Sequence, residues 1–184
     1  MRRFRLIFAA ILLAAAILAL PSCSIEYNEG HVLKKDGFKY YTSATRKNCF
    51  AGPVTVSVED TVVEVPDEVD GYKVIALGGA LGASKRPQPF YIYFEGVDYL
   101  IDPDDIPDDT EVIEKTFELR LGKNVSDVSG VMKGWFRNAD STKVFHITVN
   151  VVCSEENGTF RSDNGKLYRK SDGSLVDSFE YAVN

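Results

Sequence analysis

Among its 184 residues this chain has three cysteines, two histidines and one tryptophan. Those shortages exclude whole classes of chemistry. Neither His31 nor His146 stands in a His-Glu-x-x-His pair, and no Cys-x-x-Cys or Gly-x-Ser-x-Gly pattern occurs. No metal, no cofactor and no catalytic residue is expected, and the chain is expected not to be an enzyme. Beyond the N-terminal segment, Gly, Pro and Asp interrupt every window long enough for a helix. Positive charge is scarce too, with a formal net charge of −6. An acidic chain without a basic patch repels phosphate backbones, so no nucleic-acid partner is expected.

The one long apolar run lies at the start. Arg2, Arg3 and Arg5 precede an uncharged stretch from Leu6 to Leu20, the pattern of a secretory signal and short for a spanning helix. Leu20-Pro21-Ser22-Cys23 resembles the bacterial lipobox. The resemblance implies a signal peptide at 1–22, cleavage before Cys23, and a diacylglyceryl anchor with palmitate-type acyl chains on its sulfur. Such chains hold a protein at a membrane by about 0.8 kcal/mol per buried CH₂. Loss of the three leader arginines takes the net charge from −6 to −9. Residues 23–35, polar and without apolar period, are expected to be a lipidated tether, and 36–184 to be one folded domain. The expected location is extracytoplasmic, membrane-anchored and at the cell surface.

Short alternating apolar runs recur at nearly equal intervals. They are Val63-Glu64-Val65, Ile92-Tyr93-Phe94, Leu119-Arg120-Leu121 and Ile147-Thr148-Val149, with starts 29, 27 and 28 positions apart. Such a period marks a solenoid of stacked units. Lys35-Asp36-Gly37 and Asp70-Gly71 read as turns, as do Asn164-Gly165 and Asp172-Gly173. The strands around 38–41 and 54–58 are expected to pair as an N-terminal cap, and short helical turns are expected around 80–84, 111–115 and 132–136. Three stacking steps of about 4.8 Å would separate Cys49 from Cys153 by roughly 14 Å, too far for a disulfide unless the N-terminal segment folds back along the stack.

Two segments carry a family likeness. Val65-Pro66-Asp67-Glu68-Val69-Asp70-Gly71-Tyr72-Lys73-Val74-Ile75-Ala76-Leu77 resembles the "IP-x-x-V-x-GYKVTAIG" segment of the BspA-like leucine-rich repeat family. Ser154 to Lys170, with Asn157, Asp163-Asn164-Gly165 and Leu167-Tyr168, resembles its closing "ENP-x-Y-x-S-x-DGVLY-x-K" segment. The resemblance implies a mainly β fold, a short right-handed leucine-rich-repeat solenoid with β-hairpin caps, and a secreted or surface bacterial protein of the kind implicated in adhesion. Ala80-Leu81 stands where the family has a small residue and Phe, and the acidic stretch 102–109 displaces that position in the second coil.

Side chains alternate across a strand. With Leu119 and Leu121 inward, Glu118 and Arg120 point outward, and the same phase exposes Tyr91, Tyr93, His146 and Thr148. Equal stacking would put Tyr91, Glu118 and His146 in one column and Tyr93, Arg120 and Thr148 in the next. Tyr and Arg are residue types in which binding energy concentrates, so these six form the candidate binding face for an extracellular protein of the host or of bacteria. The competing expectations are a solvated sheet face on a structural spacer of the envelope, or a polysaccharide-binding module that stacks sugars on the tyrosines. Asp102 to Asp109 has the oxygen ligands calcium takes, but two prolines and the missing Asp-x-Asp-x-Asp-Gly pattern make it a solvated loop.

Overall fold

In the computed structural model three dipeptides take positive φ at both residues: Asp36-Gly37 (49° and 78°), Asp70-Gly71 (47° and 79°) and Asn164-Gly165 (48° and 74°). These are two-residue hairpin turns, which need residues that tolerate left-handed backbone. The structure describes residues 27–182 apart from 44, 83 and 139–142. The leader 1–22, Cys23 and the start of the tether lie outside the described residues.

The protein is mainly β. Strand β1 (Tyr27–Lys35) occupies the second part of the expected tether and pairs with β2 (Phe38–Ser43) across the first turn. An edge strand is held by backbone bonds along one side, so it needs no apolar period, and its lysines protect the edge. β3 (Asn48–Val56) completes a meander, with Phe38 opposite Val54 and Tyr41 opposite Phe50. After β4 (Val62–Val65), the turn at Asp70-Gly71 joins β5 (Glu68–Val69) to β6 (Tyr72–Leu77). A small hairpin of β7 (Gly79–Leu81) and β8 (Arg86–Gln88) precedes β9 (Ile92–Phe94) and β10 (Val97–Leu100). Then come β11 (Glu111–Leu121), β12 (Gly134–Asn138) and β13 (Lys143–Cys153). The closing hairpin is β14 (Phe160–Asp163) and β15 (Lys166–Arg169).

Two larger sheets result. One runs β1-β2-β3-β6-β5, with β9 also on β3; the other runs β10-β12-β13-β11-β4. In the second, β11 and β13 are parallel and in register from Glu111↔Lys143 to Leu121↔Cys153. The turns that follow β4, β11 and β13 are stitched together. Lys123 N–H donates to Asp67 Oδ1 at 2.6 Å, and Asn157 Nδ2 donates to the Gly122 and Val125 carbonyls at 2.9 and 2.8 Å. Asn157 Oδ1 accepts from the Thr159 and Phe160 amides, so this fully buried side chain has all its capacity filled.

The equal columns expected from the 27–29 period do not form. Leu119 lies between Val63 and Val151, not beside Ile147, and Ile92 pairs with Val54 in the other sheet. The cause is the period of two along a strand: a slip by four residues keeps every inward side chain inward, so apolar alternation alone does not select the register. Short helical turns are absent at the places expected among the described residues; β7, β11 and β12 occupy them, and the 3₁₀ turn is Pro103–Asp105, capped by Asp102.

Aromatic side chains lock the sheets. Phe94 of β9 lies 4.9 Å from Phe145 and 5.9 Å from Phe117, ring centre to ring centre. All three belong to one buried cluster with Val63, Leu119 and Val151, and full burial of each phenylalanine is worth about 1.5–3 kcal/mol. Cys49 and Cys153 are free thiols. Burial pushes the Cys49 thiol up to about 12.

Candidate functional site

The outward face of the β11–β13 ladder is where the sequence places most of its candidates. Phe117, Leu119 and Leu121 point into the core, which turns Glu114, Thr116, Glu118 and Arg120 outward by alternation. Across the ladder stand His146, Thr148, Asn150 and Val152, in that order. The facing pairs are joined: His146 Nδ1 lies 2.6 Å from Glu114 Oε2, and the Thr116 and Thr148 hydroxyls are 2.8 Å apart. Arg120 Nε donates to Glu118 Oε1 at 2.6 Å along the same strand, with both side chains substantially exposed.

His146 is the most heavily engaged of these. Trp135, its partner across β12, stacks on the imidazole with ring centres 4.0 Å apart and planes 14° from parallel. Its Nε2 sits 2.9 Å from Glu180 Oε1. The C-terminal segment brings that carboxylate in by continuing along the edge of β13: Val149 N–H donates to Glu180 O, and Ala182 N–H to Val149 O. The imidazole is thus stacked on an indole and bonded to Glu114, while the Glu180 carboxylate lies close to Nε2 without making a hydrogen bond to it. A shallow cavity of about 480 Å³ adjoins Trp135 and Glu180, with exposed Leu100 and Met132 at its sides.

The six candidates fall in two places. Glu118, Arg120, His146 and Thr148 share one side of the ladder, although Thr148 is buried there and not exposed as its alternation suggested. Tyr91 and Tyr93 do not: β9 belongs to the first sheet, and their rings contact each other at 5.5 Å. Tyr91 also packs on Phe136, and burial pushes its phenol up, with Tyr93 adding to the effect. Both tyrosines are half-buried. The acidic run 102–109 is mostly exposed and folds around its own 3₁₀ turn.

Three residues of the ladder face were not among the candidates. Glu114 was accessible to sequence reasoning, since it continues the outward phase of Glu118 and Arg120 by two further steps. Trp135, of β12, lies half-buried beside His146. Glu180 carries no sequence signal, because only the return of the C-terminal segment brings it there. Among the described residues no group of three or more His, Cys, Asp or Glu side chains is arranged to hold a metal ion. No protein-family model matches the chain, and neither does any curated protein or solved structure.

Proposed function

We propose that this protein is a lipid-anchored, cell-surface binding module of the BspA-like leucine-rich-repeat type, which engages another protein through the outward face of β11 and β13. The observation that carries the reading is the eleven-residue parallel ladder, which holds Glu114, His146 and Arg120 on a fixed sheet, with Trp135 of the adjoining β12 stacked on His146. Side chains already immobilised lose less entropy on binding, and Trp and Arg are frequent energetic centres of interfaces. Parallel stacking of β4, β11 and β13 with hydrogen-bonded turns behind them supports a short coil stack. It is a binding reading, not a catalytic one. The anchor rests on the lipobox-like segment ending at Cys23.

Protease treatment of intact cells tests the location: the protein should be digested, and its persistence would remove the surface reading. A partner crosslinked to the chain on cells should be recovered at least tenfold less well with R120A or W135A, at unchanged circular dichroism. Equal recovery by both variants moves the site elsewhere. Absence of any crosslinked partner favours the spacer role.

A further inference from the structure

An opening larger than the cavity beside Trp135 lies away from the ladder face. A cleft of about 670 Å³ lies where β3 and β4, successive in the chain, splay apart beyond the loop at Ser57–Asp60. Val62, Val63 and Glu64 all line it. Consecutive residues alternate faces, so β4 turns its edge, not a face, into the opening. That edge is free. β4 ends its sheet, with β11 on its other side. Thr61 O accepts from Glu118 N at 2.8 Å. Every second residue of a parallel strand bonds to a given neighbour, so Val63 and Val65 continue toward β11. The amides and carbonyls of Val62 and Glu64 then point into the cleft. An unpaired edge of this kind is a template for a further strand.

Charge and floor narrow the occupant. Asp36, Asp60, Glu64 and Glu95 stand around the cleft, and among the described residues no Lys or Arg lines it. Lys115, on β11, directs its ammonium to the Val58 carbonyl in the loop. Asp60 is engaged by the Ser57 amide. The floor holds Phe38 and Tyr40, stacked at 5.3 Å. Tyr40 is 1 % exposed. Burial pushes this phenol up, so it stays neutral and both donates and accepts.

We propose that the cleft takes an extended basic segment of a partner protein, which adds a strand to β4 and lowers a Lys or Arg side chain between Glu64 and Glu95 toward Tyr40. Backbone pairing supplies affinity and the acidic walls supply selection, as in other strand-addition complexes. The proposal rests on the protein-binding reading but uses a different surface from the ladder face.

The test is fluorescence anisotropy with the full chain in detergent and a labelled acetyl-(Lys-Val)₃-amide peptide. Binding is expected, with at least tenfold loss for the E64Q/E95Q double variant and for a peptide N-methylated at alternate amides. The (Glu-Val)₃ peptide should not bind. Equal binding of the N-methylated peptide would overturn strand addition, and equal binding by the double variant would overturn the acidic selection. No binding of the basic peptide overturns the cleft proposal alone, provided R120A still weakens the cellular partner. Loss of peptide binding in R120A would place the peptide on the ladder face and overturn the cleft.

Discussion

Trp135 and His146 face each other across an antiparallel pair with their rings 4.0 Å apart and nearly parallel. This is the chain's one tryptophan, so its emission reports on the ladder face directly. H146A removes the stacked ring and frees Glu114 and Glu180 from their shared partner. The expected outcome is a changed Trp135 emission and a stability loss of about 1 kcal/mol, the scale of an aromatic contact. Emission identical to the parent would show that the stack does not persist in solution.

Asn157 makes four hydrogen bonds from a fully buried position. N157A leaves two carbonyls and two amides without it, at about 1–3 kcal/mol for each group that stays unsatisfied. The loss in urea denaturation should be on the order of 3 kcal/mol or more. N157D should also be destabilising, because a carboxylate oxygen would face the Gly122 and Val125 carbonyls. A loss below about 1 kcal/mol for the alanine variant would mean that the turns are not stitched through this side chain.

Gly78 and Gly71 separate backbone strain from crowding. Both have positive φ, 69° and 79°. A Cβ at Gly78 would meet the Gly130 carbonyl oxygen at 2.3 Å, whereas one at Gly71 would meet nothing within 4 Å. G71A should cost about 1 kcal/mol for left-handed backbone alone. G78A should cost clearly more, since one of two backbone segments must move. Equal melting temperatures for the two variants would contradict the close approach.

Cys49 ties stability to alkaline pH. The folded thiol holds its proton up to about 12 because burial disfavours the thiolate, whereas an exposed thiol ionises near 9. The folded state therefore binds more protons than the unfolded state above that lower value. Linkage then requires stability that is complete below about pH 9 and declines toward about pH 12. C49A should flatten this decline, although the buried Tyr40 adds a similar trend at higher pH. An unchanged slope for C49A would remove Cys49 as its source. The same burial should make Cys49 slow to alkylate until the protein unfolds.

R120A supplies the internal control for the proposed binding face. The Glu118–Arg120 pair is substantially exposed on both sides, and such pairs contribute about 0–1 kcal/mol. Thermal unfolding of R120A should stay close to that of the parent, so a tenfold fall in partner recovery would reflect recognition. A large fall in melting temperature would instead make Arg120 a structural residue.

Local chemistry was legible in the chain. Asp36-Gly37, Asp70-Gly71 and Asn164-Gly165 announce their turns because few other residues enter left-handed backbone. Val63, Leu119 and Val149 announce their burial by alternation, and Gly, Pro and Asp rule out long helices. Parity put Glu118, Arg120, His146 and Thr148 on one side of the ladder, but of these only Glu118 and Arg120 are substantially exposed, while Thr148 is buried. What parity leaves open is how far one strand slides past another. Slips of two or four residues bury the same side chains, so only three-dimensional packing places Leu119 beside Val151 and sends Ile92 to Val54. Phe94 shows why the packed answer differs: with β9 paired to β3 it reaches Phe117 and Phe145 across the core. Tertiary structure alone also brought Glu180 to His146 and opened the cleft beside β4, since both join segments whose proximity no local pattern encodes.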